Sequence, residues 1–427
     1  MNTIPPQLRE IHPIGPRDIV AHPPGSKSLT NRALLCAALA QGESMITNAL
    51  VSDDTRYMID ALRTLGLSVS EHDDGTRISL LGTGGLYPVK QARLSVGNAG
   101  TAMRFLTAAL ATSTGNYVLD GDARMRERPI GDLVDALRQL GGAVTARDGA
   151  YPPVEIVSTG LRGGTCTIDG GTSSQYLSAI LMAAPYAQTD VTVRVSGTLV
   201  SAPYIDMTLH VMRDFGVDAD ATEKARYVVR AGQRYRGTRY SVEPDASAAS
   251  YWFAAAAATG GTVRVDGLGS ASIQGDIRFV ELLREMGCVV RQGPDWTEVT
   301  GGELHGIETD MRDISDTAMT LAAVAMLADS PTRITGIANV RVKESDRIAA
   351  VATEARKLGA EVEELPDGMV IRPRPLRAAE IDTYNDHRIA MSFAILGLRQ
   401  PGIVIRDPGC VAKTYPTFFD ELAALGA

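Results

Sequence analysis

Two kinds of apolar pattern alternate along the chain. The first is amphipathic: Ile59-Asp60-Ala61-Leu62-Arg63-Thr64-Leu65 sets apolar residues at helical spacing and stops at Gly66. The same ending, apolar-Arg-x-apolar-Gly, returns at Leu137-Arg138 before Gly141, Met212-Arg213 before Gly216, Leu283-Arg284 before Gly287 and Ala355-Arg356 before Gly359. A degenerate copy lies at Leu425-Gly426. Successive glycines are 75, 75, 71, 72 and 67 residues apart. Glycine just past the last periodic residue is a C-terminal stop signal, so each copy predicts the end of a half-exposed outer helix. The second pattern is Ala-rich and apolar on every side. Its segments begin near Ser28, Thr101, Ser174, Ser247, Asp316 and His387, spaced 73, 73, 73, 69 and 71 residues apart. Helices apolar all round are buried ones.

Between inner and outer helices lie strand-like runs, among them Asn116–Leu119, Val191–Val195, Thr262–Val265 and Ile403–Ile405. The period reads inner helix, strand, outer helix, then one or two strands, six times over. A chain of 427 residues exceeds one ordinary core, and six units divide naturally into two α/β domains of three. The sixth unit stops after its outer helix. The segment around Asp18-Ile19-Val20-Ala21-His22 is left over at the other end and is expected to supply the missing strand. One domain is then discontinuous, residues 1–24 with 245–427, and the other spans 25–244. The chain crosses between them at His22-Pro23-Pro24-Gly25 and Val242-Glu243-Pro244-Asp245, where Pro and Gly would restrict motion to a hinge.

Composition alters this picture little. Hydrophobic residues make up 44% and charged residues 22%, as in ordinary globular chains. No stretch approaches the ~20 apolar residues of a membrane span, and Met1–Gly15 lacks the apolar run of a secretory signal, so a cytoplasmic location is expected. Cys36, Cys166, Cys288 and Cys410 stand too far apart for a zinc site or a disulfide framework. Charge matters more. A formal net charge of -8 with no basic run argues against nucleic acid or an anionic membrane as partner. Any bound anion must therefore meet a local gathering of the 42 Lys and Arg residues.

Such gatherings occur at the repeat's corners. Polar clusters open the inner helices: Gly25-Ser26-Lys27-Ser28-Leu29-Thr30-Asn31-Arg32, Gly97-Asn98-Ala99-Gly100-Thr101, Gly171-Thr172-Ser173-Ser174-Gln175 and Tyr384-Asn385-Asp386-His387-Arg388. Capping alone explains Ser, Thr, Asn and Asp there. The bare backbone of Gly97–Gly100 goes further, because it lets an anion reach free N–H groups. Cations collect where strands lead into outer helices: Arg124-Met125-Arg126-Glu127-Arg128-Pro129, Arg341-Val342-Lys343-Glu344-Ser345-Asp346-Arg347 and Lys413-Thr414-Tyr415-Pro416. Open α/β sheets place ligands at such corners. His387 lacks the partner spacing of a metal ligand, and neither a GxSxG elbow nor a GxxxxGK[ST] loop is present.

Pro24-Gly25-Ser26-Lys27-Ser28, Gly97–Arg104, Arg128-Pro129-Ile130, Asn385–Arg388 and Lys413-Thr414 together make the chain resemble, end to end, the EPSP synthase (3-phosphoshikimate 1-carboxyvinyltransferase) family. The resemblance implies the enolpyruvyl transferase fold, two similar domains with buried parallel helices and outer sheets that close on a central cleft. It implies transfer of the enolpyruvyl group of phosphoenolpyruvate to the 5-hydroxyl of shikimate 3-phosphate, through a tetrahedral intermediate that expels phosphate, on the route to chorismate and aromatic amino acids. No cofactor or metal is implied, nor any macromolecular partner; a monomer is expected. Each substrate carries a carboxylate and a phosphate of about -1.5 to -2. Facing them, by resemblance, are Lys27, Arg32, Arg128, Lys343, Arg347, Arg388 and Lys413.

Carried over position by position, the shikimate phosphate belongs with Ser173, Ser174 and Ser201, and its carboxylate with Ser28, Arg32 and Lys343. Gln175 and Tyr204 hold the ring; Asp316 and Asn339 contact hydroxyls; Lys27 borders both substrates and counts among the catalytic residues. Phosphoenolpyruvate falls to Lys27, Asn98, Gly100, Arg128, Gln175, Glu344, Arg347, His387, Arg388 and Lys413. Asp316 paired with Lys343 is the candidate base, and Glu344, or else Lys413, protonates the methylene carbon. Three positions depart from the family: Phe105 replaces a common proline beside the phosphoenolpyruvate loop, Ala202 a lysine, and Ser315 a frequent proline, though Ser315 can still cap a helix. Phe105 bears on the response to glyphosate, the family's phosphoenolpyruvate-competing inhibitor. Two rivals share the fold: a UDP-N-acetylglucosamine enolpyruvyl transferase, which typically uses a mobile-loop cysteine, and a non-catalytic anion-binding relic. Phosphate release from the two substrates discriminates among all three.

Overall fold

The computed structural model describes residues 7–426. Among them, inner and outer helices alternate without exception. The inner series is α1 (Lys27–Leu39), α3 (Gly100–Thr112), α5 (Ser174–Ala183), α7 (Ala246–Thr259), α9 (Ala318–Ala325) and α11 (His387–Gly397). The outer series is α2 (Asp53–Thr64), α4 (Gly131–Gln139), α6 (Pro203–Asp214), α8 (Phe279–Glu285), α10 (Arg347–Lys357) and α12 (Phe418–Ala424). Every residue of α3 is buried, as is every residue of α11, as their largely apolar sequences demand.

The repeat signature of the outer helices has a physical cause. Gly66, Gly141, Gly216, Gly287 and Gly359 all take left-handed backbone, φ 90, 85, 87, 110 and 101°, where a side chain is disfavoured. In each copy the glycine N–H donates to the repeat arginine's carbonyl, as at Gly141 to Arg138 (2.9 Å). The next N–H reaches back to the residue before that arginine, as at Gly142 to Leu137 (2.8 Å). This is a Schellman ending. The arginine side chain then ties the helix to the following strand, donating to the carbonyl six residues on: Arg63 to Val69 (3.0 Å), Arg138 to Val144 (2.8 Å), Arg284 to Val290 (3.5 Å) and Arg356 to Val362 (2.7 Å).

Each unit closes one sheet in the same order. In the second, Gln91–Ser95 lies parallel to Thr114–Asp120, which pairs antiparallel with Tyr151–Thr159, itself antiparallel to Val144–Arg147. The parallel pair is joined across α3, a strand-helix-strand crossover that leaves both helix and strand ends at one corner. Among the described residues, five sheets have four strands and the sixth has three.

The N-terminal segment differs from expectation in detail. Asp18–Ala21 pairs with Thr262–Val265 and so enters the fourth unit's sheet rather than the sixth. The sixth unit's missing antiparallel strand comes from Leu8–Ile11, which pairs with Ile403–Arg406. Conversely Arg239–Ser241, which precedes α7 in sequence, pairs with Met45–Thr47 of the first unit. One unit of the chain joins the segment ending at Pro24 to the chain from Pro244 onward; the other runs Gly25–Glu243.

Candidate active site

Within Gly25–Glu243, the chemistry gathers at the first turns of α1, α3 and α5. Ser26 caps α1, and Lys27 at its first position faces Asp54 (3.4 Å), an acid from the first turn of α2 that is 2% exposed. Ser173 caps α5 through the N–H of Gln175 (3.2 Å), so its hydroxyl already has a structural duty. Ser174 and Ser201 are buried, Ser201 in left-handed backbone just before α6. α3 is different: Ala99 stands at its cap position and no side chain caps the helix. Its first N–H groups are therefore left without a side-chain cap, an arrangement that suits an anion. Arg128, from the turn before α4, donates to both the carbonyl (3.1 Å) and the side-chain oxygen (2.8 Å) of Asn98, which sets its guanidinium beside Gly100.

The cationic run that ends at Arg128 divides by side. Arg124 pairs with Glu127 (3.0 Å) and Arg126 with Asp120 (2.6 Å) on the solvent side; Arg128 turns inward. Arg32 is 1% exposed and its donors are taken by Thr208 Oγ1 (2.8 Å), Ser178 Oγ (3.2 Å) and the carbonyls of Ser28 and Tyr204. It lies over the rings of Phe105 (5.3 Å) and Tyr204 (5.9 Å). Burial lowers its guanidinium to about 10, so it stays charged at neutral pH. Phe105 thus acts as a floor for Arg32.

Within the other unit a single carboxylate organises three cations. Asp316 Oδ1 accepts from Lys343 Nζ (2.5 Å) and Arg347 (3.3 Å), and Oδ2 from Arg388 (2.8 Å). Arg347 in turn bonds Asp386 through two nitrogens (2.8 and 3.2 Å) and Glu344 (2.8 Å). Lys413 lies 3.7 Å from Glu344. The turns Ala338–Val342 and Pro408–Lys413 deliver these groups at the entrances to α10 and α12. Burial alone would raise the Asp316 carboxyl, but Arg388, Lys343 and Arg347 together hold it well below the usual carboxylate range. Burial lowers the Lys343 ammonium, with Asp316 partly opposing. Arg341 pairs with Asp346 (2.9 Å), the cap of α10, and braces the corner. His387 is buried, its Nδ1 3.6 Å from Asp386.

Ser315 does not cap α9 as expected. The cap position falls to Thr317, which makes no side-chain cap bond, while Ser315 Oγ accepts from Asn339 Nδ2 (3.1 Å). Holding Asn339 is the stronger use of that hydroxyl, since an amide buried to 6% exposure requires a partner. Three acids were passed over in the sequence: Asp54, Asp386 as a ligand of Arg347, and Asp276, whose carboxylate accepts from Ser247 in the first turn of α7. Asp54 and Asp276 occupy the same strand-to-helix corners as the cations of other units. Their position at a corner, not the sign of their charge, is the signal the sequence carries.

Two sets of three such units, with charged corners and helix openings bearing on buried inner helices, define an enolpyruvyl transferase fold. In solved structures the chain is similar to the EPSP synthase of Acinetobacter baumannii (TM-score 0.80, 29% identity, 98% of each chain). The enolpyruvyl transferase NikO of Streptomyces tendae shares the fold (TM-score 0.78, 19% identity, 99% of this chain and 98% of that one). Residues 17–422 match the EPSP synthase (3-phosphoshikimate 1-carboxyvinyltransferase) family. The chain is 51% identical to the 3-phosphoshikimate 1-carboxyvinyltransferase of a Nostoc species over 95% of this chain and 96% of that one. It is 50% identical to that of Escherichia coli O6:H1 over 97% and 98%. The chain belongs to the EPSP synthase family of transferases.

Proposed function

We propose that this chain transfers the enolpyruvyl group of phosphoenolpyruvate to the 5-hydroxyl of shikimate 3-phosphate, and that the residues assigned above by resemblance carry the reaction. The observation that supports the site reading best is Asp316 binding three cations, Lys343, Arg347 and Arg388, with one carboxylate. An anionic substrate competes for those same cations. As phosphoenolpyruvate draws Arg347 and Arg388 to its oxygens, the charges that keep the Asp316 carboxyl low are shared out, and Asp316 becomes a better proton acceptor. With Lys343, it takes the proton of the attacking hydroxyl. The Glu344–Lys413 pair supplies the proton that the methylene carbon gains.

In the Gly25–Glu243 unit, Lys27, Arg128, Asn98 and the uncapped start of α3 at Gly100 take phosphoenolpyruvate; Ser28, Arg32, Ser173, Ser174, Gln175, Ser201 and Tyr204 take shikimate 3-phosphate. Within the unit that runs from Pro244 onward, Asn339 is assigned to shikimate 3-phosphate and His387 to phosphoenolpyruvate. Burial pushes the Cys36 and Cys166 thiols up to about 12, and no cysteine lies between Gly97 and Arg128, which disfavours the cysteine-dependent sister reaction. Among the described residues no helix is long and apolar enough to cross a membrane; a cytoplasmic monomer completes the proposal.

Phosphate release requiring both substrates is the assay. Asp316→Ala removes the anion that neutralises three cations, so phosphoenolpyruvate should bind as tightly as before or tighter, and shikimate 3-phosphate should stay bound despite losing a hydroxyl contact. Turnover should fall by about 100-fold or more. Near-parental turnover in that variant refutes Asp316 as the base.

A further inference from the structure

We propose that Glu354 and Tyr384 form a positioning latch for the phosphoenolpyruvate clamp, holding the Asp382–Asn385 turn so that Asp386 meets Arg347. The inference rests on the reading of Arg347 as a phosphoenolpyruvate ligand. Arg347 opens α10, and Glu354 lies seven residues on, hence on the same side of that helix. Both point at one segment. Glu354, fully buried, accepts from the Tyr384 hydroxyl (2.6 Å) and from the Asp382 N–H (3.0 Å). Lys357 completes its shell (2.8 Å) and also pairs with Asp382 (2.6 Å).

The turn needs holding. Tyr384 and Asn385 are consecutive non-glycine residues in left-handed backbone, φ 54 and 52°. A bulky side chain disfavours that conformation, and it persists only where the surroundings over-determine it. Its product is the aim of Asp386, which caps α11 through the Arg388 N–H (3.0 Å), accepts from Ser345 (2.9 Å) and grips Arg347. Burial and the neighbouring Glu354 carboxylate both push the Tyr384 phenol up, so it remains a donor at any working pH. Nothing here touches substrate. The pair acts through Asp386 and Arg347.

The test is steady-state kinetics of the full chain for both substrates, with melting temperature recorded beside it. Tyr384→Phe should raise the KM for phosphoenolpyruvate about fivefold, the loss of one hydrogen bond transmitted to the clamp. The KM for shikimate 3-phosphate should change by less than about twofold. Glu354→Ala should weaken phosphoenolpyruvate further, and Glu354→Gln should recover part of that, since its amide oxygen still accepts from Asp382. A merely structural role would lower the melting temperature and move both KM values alike, or neither, and either result overturns the latch. Arg347→Lys separates the two readings. If it raises the phosphoenolpyruvate KM while Tyr384→Phe does not, the latch alone fails; if it leaves that KM unchanged, the placement of phosphoenolpyruvate fails and takes the latch with it.

Discussion

Asp276, buried, and Asp316, half-buried, are acids of one unit, yet their surroundings push them in opposite directions. Asp316 has three cations. Asp276 is 3% exposed, accepts from the Ser247 hydroxyl, and feels Asp316, Asp245 and Arg388 as its charged neighbours. Burial first, then the Asp316 charge, raises its carboxyl to about 6, with Ser247 and Arg388 opposing. A carboxyl easier to protonate when folded than when unfolded destabilises the fold as it ionises. The loss begins near the unfolded value of 3.8, grows until about pH 6 and stays level above it. Asp276→Asn keeps an acceptor for Ser247 and removes the ionisation. Its stability relative to the parent should therefore be greater at pH 8 than at pH 5, by about 1.4 kcal/mol. Denaturant midpoints at the two pH values measure this. An equal difference at both would mean that Asp276 does not titrate in that window.

The inner helices share a design, and their differences locate the chemistry. α1, α5, α7 and α11 spend a Ser or Asp on capping; α3, with Ala99 there, and α9 have no side-chain cap, and the proposal above seats phosphoenolpyruvate on α3. A methyl on Gly100 would come within 2.8 Å of Arg128 Nη2, so that guanidinium must shift, and within 3.1 Å of Arg104 Nη1, which must give slightly. Gly100→Ala should therefore raise the KM for phosphoenolpyruvate roughly tenfold and leave that for shikimate 3-phosphate nearly unchanged, by initial-rate kinetics. Equal weakening of both substrates would remove α3 from the phosphoenolpyruvate site. The helices were legible in the sequence because their causes are local: glycine stops, repeat arginines and all-apolar runs each encode one element. The site was legible only as residue types at corners. Which way the inward-turned cations point depends on partners distant in sequence, such as Ser178 and Thr208 for Arg32 or Asp386 for Arg347, and no local pattern records that. Asp54 and Asp276 carry no such signal of type, because the fold admits both signs of charge at these corners.

At the scale of the whole chain, the N-terminal segment closes the architecture. Leu8–Ile11 completes the sixth unit's sheet and Asp18–Ala21 the fourth's, so residues far from Pro244 in sequence are structural members of the same unit. Ile11 carries most of that bond. It is 6% exposed, pairs with Ile403, and packs so closely on α11 that a Cβ on Gly397 would strike its side chain. Ile11→Ala removes apolar contact from a packed site and should destabilise this unit by about 2–4 kcal/mol. Each unit has its own inner helices and sheets, so the damage should stay local. Amide hydrogen exchange followed by mass spectrometry should quicken across Ile403–Arg406 and α11, while Leu34–Leu39 in α1 exchanges as in the parent. Because α11 opens with Asp386, His387 and Arg388, loosening it from a distance should also weaken phosphoenolpyruvate. If α1 quickened as much as α11, the two units would be unfolding as one cooperative body, and the first strand would be holding the entire molecule rather than its own half.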